Sequence, residues 1–283
     1  MGVRLFVFGL GYSAQVLADR LRAQGWQVRA TGRAGDTDFA DDAAVGAALG
    51  WASHVLSSVP PAREGGDPVL ERHGAAMQGC AAQWIGYLSA TGVYGDTQGA
   101  WVDEGAPVGG GRRTARVEAD LAWQALDPRV RVFRLPGIYG PGRSALDRVA
   151  QGTAHRIDLP GQVFSRVHVA DIAGGVIAGM AGPPGVYNLS DDEPCTQNAV
   201  IEEAARLLGV EPPPLQTVQE AGLSPMARAF YAENRRVANG KARRVLGWRP
   251  LYPTYREGLR ALSATTRPAI ATAAPAAAST DQR

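Results

Sequence analysis

Lysine is almost absent from this sequence. Of its 29 basic side chains only Lys241 is a lysine, and the rest are arginines. Cysteine is scarce too: Cys80 and Cys195 stand apart with no C-x-x-C spacing. That excludes a disulfide framework and a cysteine-rich zinc site, and points to a reducing compartment. The four histidines, His54, His73, His155 and His168, have no H-E-x-x-H or similar spacing, so no metal site is expected. Long hydrophobic runs are missing, which excludes a spanning helix. Met1-Gly2 leads straight into Val3–Phe8, with neither a charged n-region nor a cleavage site, and Phe6 breaks a myristoylation pattern. A cytoplasmic protein with no membrane partner is expected. The charge is nearly balanced at +2, too even for a nucleic-acid partner to be read from bulk charge.

What is present is an ordinary globular composition over 283 residues, 45% of them hydrophobic, enough for one large domain with an appendage. Short apolar runs alternate with stretches of helical period. Arg4–Phe8, Gln27–Thr31, His54–Ser58, Trp84–Ser89 and Arg129–Leu135 read as strands. Ser13–Gln24, Val69–Cys80 and Arg113–Leu126 read as helices between them. Such repeats predict an α/β protein with a Rossmann-type, doubly wound parallel sheet. The expected division is a dinucleotide-binding domain over 1–137, a smaller substrate region over 138–264, and a disordered tail over 265–283, rich in Ala, Thr and Pro. Strands around 163–190 are expected to return to the first domain. In the second half, Ser144–Gln151, Asp171–Met180, Thr196–Leu208 and Arg235–Leu246 read as helices. Arg156–Leu159, Val163–Val169 and Val186–Leu189 read as strands.

Gly9-Leu10-Gly11-Tyr12-Ser13-Ala14 closes the first strand and opens the first helix. Gly9 suits the tight turn, and Gly11 lets the backbone approach a pyrophosphate. Ala14 allows close helix–sheet packing, and the helix N-terminus offers free N–H groups to phosphate. After the second strand stands Thr31-Gly32-Arg33, with no acid until Asp36. An acid there would favour NAD; Arg33, with the Thr31 hydroxyl, suits the 2′-phosphate of NADP. NADP is therefore favoured over NAD, the alternative being that Arg33 is a solvated loop residue. Ser57, Ser58 and Val59, at the end of the third strand, are expected along the cofactor cleft.

Several strings downstream resemble the extended short-chain dehydrogenase/reductase family of the epimerase/dehydratase type. They are Leu88–Gly95 (LSATGVYG), Val102–Pro107 (VDEGAP), Arg134–Gly142 (RLPGIYGPG), Val167–Ala173 (VHVADIA) and Gly185–Leu189 (GVYNL). The resemblance runs from Arg4 to about Leu262. It implies a nicotinamide cofactor, a small-molecule substrate of nucleotide-sugar-like or other anionic kind, and dimerisation through the helices flanking the catalytic positions. It places Ser89 and Pro136 beside the cofactor, and Arg143, Arg166 and His168 toward the substrate.

The family's usual chemistry needs a Tyr and, four residues later, a Lys whose ammonium lowers the phenol's pKa. Neither is here. The family spacing puts the Tyr at Arg112 and the Lys at Arg116, and no tyrosine lies between Gly95 and Pro136. Arginine keeps its proton near neutral pH, so Arg116 can bind cofactor but cannot act in the Tyr–Lys pair. The hydroxyls left as candidates for the chemistry are Thr91, Tyr94 and Tyr139. The basic run Arg235–Arg244 reads as a solvated helix face, the alternative being a grip on a nucleotide-sugar phosphate. Two functions remain open: an NAD(P)-dependent oxidoreductase or epimerase/dehydratase-like enzyme with a non-standard active site, favoured by the surviving substrate-side strings, and a catalytically inactive dinucleotide-binding sensor or scaffold.

Overall fold

In the computed structural model, residues 2–110, 114–223, 228 and 230–266 are described. Strands β1 (Arg4–Phe8), β2 (Gln27–Ala30), β3 (His54–Ser57), β4 (Trp84–Ala90), β6 (Val130–Leu135) and β10 (Gly185–Asn188) form one six-stranded sheet. Its order is β10-β6-β4-β3-β1-β2, and every neighbouring pair is parallel. Three two-stranded pairs lie outside it: β5 (Trp101–Val102) with β12 (Arg236–Val237), β7 (Gly137–Tyr139) with β9 (Arg166–His168), and β8 (Arg156–Ile157) with β11 (Leu215–Gln216).

A parallel sheet is covered on both faces, so its strands must be apolar at successive positions. In β1, Leu5 and Val7 point to one core and Phe6 and Phe8 to the other, all fully buried. The first core also takes Leu17 and Leu21 of α1 (Tyr12–Ala23), and Ile172 and Val176 of α6 (Val169–Ala181). The second takes Val45 of α2 (Asp42–Trp51), Val69 and Met77 of α3 (Pro68–Gln78), and Trp123 of α4 (Thr114–Leu126). Trp123 stacks on Tyr87 at 4.9 Å, and its indole N–H donates to Asp67, the N-cap of α3, at 2.9 Å. A satellite core joins α5 (Ala145–Ala150), α7 (Gln197–Leu208) and α9 (Tyr255–Thr266) through Leu146, Val200, Ala204, Tyr255 and Leu259.

The strand readings in the sheet hold to within a residue or two. Three helical stretches differ from the sequence reading: Asp42–Trp51 and Tyr255–Thr266, which it misses, and Arg235–Leu246, which it overextends. Asp42–Trp51 is a helix that sequence pattern misses, because its Ala/Gly composition gives little amphipathic contrast; Asp41 starts it by accepting from the Ala43 and Ala44 N–H groups. Arg235–Leu246 is not one helix, since Arg236–Val237 pairs with β5 before α8 (Gly240–Leu246) begins. Helix α9 ends at Thr266, so residues 265 and 266 belong to it rather than to a tail; residues 267–283 lie outside the described residues.

At the carboxyl end of the sheet, one buried polar network ties five segments together. The Asp120 carboxylate on α4, fully buried, takes Nε and Nη2 of Arg134 on β6 at 3.1 and 2.7 Å. It also accepts from the Ser89 hydroxyl on β4 at 2.5 Å. Arg134 Nη1 donates to the Tyr94 hydroxyl (3.0 Å), which in turn donates to Asn188 Oδ1 of β10 at 2.8 Å. Removing one partner of a buried ion pair leaves the other charge uncompensated, at a cost of about 3–5 kcal/mol. Asp120→Ala is therefore expected to lower stability by about that amount, and urea denaturation of the two proteins measures it. A loss below about 1 kcal/mol would mean that solvent reaches Arg134.

Candidate functional site

The site begins with the turn after β1. Gly9 has φ +81°, and a Cβ built there would lie 2.8 Å from Val59 Cγ2, so this turn requires glycine. Its N–H donates to the Thr31 hydroxyl at 3.0 Å, the Leu10 N–H to the Thr31 carbonyl at 3.0 Å, and the Ser58 hydroxyl to the Gly9 carbonyl. Strands β2 and β3 thus brace the turn from either side. Gly11, the N-cap of α1, has the opposite character: a Cβ there would meet nothing within 4 Å, and no side chain caps the helix. Helices α2, α3, α5 and α7 are all capped by side chains, of Asp41, Asp67, Ser144 and Thr196. The Gly11 N–H turns back to the Gly9 carbonyl at 2.9 Å, and no side chain answers the partial positive charge at the start of α1, which is how a helix receives an anion.

That terminus opens into a cleft of about 700 Å³ running beyond the carboxyl ends of β1, β3, β4 and β6. Of the residues expected from sequence, Gly11, Tyr12, Ser13, Ser58, Ser89, Thr91, Arg116, Pro136 and Arg143 line it. Tyr12 and Arg143 are held together at its mouth: the Arg143 guanidinium lies 5.7 Å over the Tyr12 ring, and the Tyr12 hydroxyl donates to the Pro141 carbonyl at 3.1 Å. Gly9, Leu10, Ala14, Ser57 and Val59 stand behind this lining, where they shape the turn and its packing. Arg33 is exposed, one residue after Gly32, where a Cβ would come within 3.3 Å of the Leu10 N–H group.

Five expected site residues stand elsewhere. The Thr31 hydroxyl is buried under the glycine turn and holds Gly9, so it does not reach the cleft. Tyr94 is buried in the Asp120–Arg134 network; burial raises its pKa above the usual phenol value, though Arg134 opposes the shift. Tyr139 is buried among α5, α7 and α9, its hydroxyl without a hydrogen-bond partner among the described residues, and burial with the Asp191 charge pushes its pKa up. Arg166 is buried and spends Nη1 on the Phe164 carbonyl (2.9 Å) and Cys195 Sγ (3.1 Å), and Nη2 on Gln197 (3.1 Å). The His168 Nδ1 accepts from the Ala170 N–H at 3.2 Å as the N-cap of α6, with its ring edge-on to Tyr252; burial lowers its pKa to about 4, leaving the ring neutral. Tyr94 and Tyr139 thus do not present hydroxyls to the cleft, nor Arg166 and His168 charge, because each is used in packing. Arg112, the expected Tyr position, lies outside the described residues. Lys241 stands far from any catalytic role, its ammonium 5.1 Å over the Tyr187 ring.

Sequence reasoning missed Phe164, Ser165, Phe230 and Glu233 on the far wall. Arg235 lines the cleft with them rather than standing on a solvated helix face, and its Nη1 donates to Glu233 at 2.9 Å and to the Gly95 carbonyl. The Phe230-Tyr231 pair, isolated among Ala, Arg and Glu, is the signal that could have pointed there.

No protein-family profile matches the chain. A conserved, functionally unknown protein from Silicibacter pomeroyi is 44% identical, with a TM-score of 0.83 over 93% of this chain and 99% of that one. The chain belongs to that protein's family. A 3-diazoavenalumate denitrifying reductase from a Streptomyces species is 33% identical over 172 residues, a match that spans 54% of the reductase and 54% of this chain. Human epimerase family protein SDR39U1, solved with NADPH, shares the fold at 16% identity, with a TM-score of 0.70 over 93% of this chain and 99% of its own. The epimerase/dehydratase resemblance read from the sequence strings is borne out as the fold.

The Asp191 carboxyl is buried, with the Glu193 backbone N–H and the Arg166 guanidinium close enough to favour its charged form. Burial raises its pKa to about 8, with the Arg166 charge countering only part of the shift. The unfolded chain releases this proton near pH 4, so between about pH 4 and 8 the folded state binds more protons than the unfolded one. Stability then falls as pH rises through that window, by at most about 1.4 kcal/mol per pH unit. Asp191→Asn is expected to be more stable than the parent at pH 8 and to lose that advantage at pH 4. Thermal melts at both pH values check this; an identical pH slope in the two proteins would contradict it.

Proposed function

We propose that the protein binds NADP in preference to NAD and acts as an oxidoreductase of the epimerase/dehydratase type on a small anionic substrate, without a Tyr–Lys pair. The observation that carries this reading is the uncapped start of α1, with Gly11 open, in one cleft with Thr91 and three arginines. The backbone there fits a pyrophosphate, and the exposed Arg33 beside the glycine turn fits a 2′-phosphate. The solved NADPH complex of SDR39U1 supports a nicotinamide dinucleotide on this fold, and the Streptomyces relative supports reduction.

When bound, the dinucleotide supplies a hydride. The chain's own part is to bind, orient and exclude water. Ser89 donates its hydroxyl hydrogen bond to Asp120, so it has no hydrogen left to offer a ligand in the cleft. Thr91 retains a hydroxyl on the cleft lining, where it can hold a substrate oxygen. Arg116 and Arg143 contribute fixed positive charge that draws an anion in. The tyrosine among the described lining residues, Tyr12, spends its hydroxyl proton on the Pro141 carbonyl at 3.1 Å, and burial raises its pKa, so the reaction that fits is one in which the protein need not cycle a phenolic proton.

A second reading, dinucleotide binding without turnover, draws on the same absence: arginine stands where a catalytic lysine is expected and Lys241 is packed on Tyr187. Calorimetric titration separates binding from its alternatives. NADPH is expected to bind more tightly than NADH, and Arg33→Ala to weaken NADPH selectively; equal loss for both cofactors would remove the 2′-phosphate assignment. Gly11→Leu is expected to abolish NADPH binding with little change in melting temperature, since its side chain enters open space. Retained binding in that variant would overturn the pyrophosphate site.

A further inference from the structure

The loop after β2 holds an acid that the reading of Arg33 leaves unexplained. Thr31-Gly32-Arg33-Ala34-Gly35-Asp36-Thr37 carries a single carboxylate, that of Asp36. An acid beyond the second strand ordinarily takes the ribose hydroxyls of NAD. Here it turns the other way. Asp36 Oδ1 accepts from the Ala30 N–H at 2.9 Å and from the Thr37 hydroxyl at 3.1 Å, and Oδ2 lies 3.6 Å from Arg29 Nε. Ala30 is the last residue of β2, so the carboxylate folds back onto the strand that the loop has just left.

Main-chain bonds close the same loop. The Asp36 and Thr37 N–H groups both donate to the Ala30 carbonyl, at 2.9 and 3.0 Å, and the Gly35 N–H donates to the Gly32 carbonyl at 2.9 Å. Thr37 also meets Thr31 in a parallel bridge. Two glycines make so tight a path possible. Gly32 has φ +103° and lies against Leu10, and a Cβ on Gly35 would collide with the Ala30 carbonyl. Between them Arg33 and Ala34 form an exposed tip.

The tip is fixed at both ends. Its near end rests on the glycine turn that opens the cofactor cleft, and its far end is tied to β2 through Asp36. A loop ordered before its ligand arrives loses less conformational freedom on binding, so Arg33 keeps more of the energy of its contact with an anion. The same fold keeps the Asp36 carboxylate, which would repel a 2′-phosphate, engaged with the protein's own donors.

We propose that Asp36 is a positioning residue for cofactor selectivity: it closes the loop on β2, holds Arg33 beside the glycine turn, and is itself withheld from the ribose. This rests on the dinucleotide reading above and adds to it the residue that sets the choice of cofactor. Calorimetric titration of the full chain and its variants with NADPH and NADH tests it. Asp36→Ala is expected to weaken NADPH about fivefold or more and NADH less than about twofold, the cost of ordering one loop arginine. Asp36→Asn keeps an oxygen that accepts from Ala30 and Thr37, and is expected to hold the parent's ratio of affinities to within about twofold. In an Arg33→Ala background, Asp36→Ala is expected to change NADPH affinity less than about twofold, because the loop then has nothing to position. Should Asp36→Ala fail to fold, Thr37→Val removes one of the two bonds to Oδ1 and is expected to lower the NADPH preference in its place.

Equal loss of both cofactors in Asp36→Ala, an unchanged ratio in it or in its Thr37→Val substitute, Asp36→Asn behaving as Asp36→Ala, or the full loss persisting without Arg33 each overturns the inference. A parent that binds neither dinucleotide overturns the dinucleotide reading and this inference with it. A parent in which Arg33→Ala is selective and Asp36→Ala is not overturns the inference alone.

Discussion

The ion pair between Asp120 and Arg134 is the contact on which the shape of the cleft floor depends. Two opposite charges taken out of water hold together only when nearly every lone pair and proton is matched. Here the matching groups come from separate segments: Ser89 from β4, Tyr94 from the turn after it, and Asn188 from β10. The network continues outward, as Asn188 accepts no slack: its N–H donates to Glu104 at 2.7 Å and its amide to the Ala238 carbonyl at 3.2 Å. The position of α4, and with it Arg116 on the cleft, is thus locked to the central sheet and to the segment that follows β12. The Tyr94 hydroxyl, left by the sequence as a candidate for chemistry, is consumed in this bracing.

A second constraint works by omission. Capping side chains satisfy the starts of α2, α3, α5 and α7, whereas α1 starts at a glycine with none. A glycine N-cap costs about a few tenths of a kcal/mol relative to a capping side chain; α8, which starts at Asn239, likewise lacks a side-chain cap bond, but α1 is the uncapped helix that opens on the cleft. The braces behind it, Thr31 and Ser58, keep the turn rigid so that these N–H groups stay aimed at the same space. Rigidity at the near wall and a built aromatic surface at the far wall give the cleft two chemically different ends.

Much of the fold was legible because burial on both faces writes long apolar runs into parallel strands, and β1, β3, β4 and β6 carry such runs. Helix α2 was not legible, since its Ala and Gly residues pack without an amphipathic stripe; β12 was not, because a two-residue strand depends wholly on its partner, β5. The glycine turn and the cleft residues Ser58, Ser89 and Thr91 follow from their place at strand ends. Phe164, Phe230 and Arg235 do not, because 66 residues separate the two phenylalanines and only chain folding brings them to one wall.

By itself the sequence determined the strand–turn–helix that opens the chain, the loss of the Tyr–Lys pair, and an arginine where NAD sites carry an acid; each is a matter of residue type at a local spacing. The tertiary structure alone decided which hydroxyls and charges face the cleft. Thr31, Tyr94, Tyr139, Arg166 and His168 are polar residues at plausible positions, yet each is drawn inward by a partner or a packed core distant in sequence. The single lysine shows the division most simply. Its count in the sequence rules out a Tyr-x-x-x-Lys string, while only the fold shows Lys241 resting on Tyr187 and Arg116 lining the cleft.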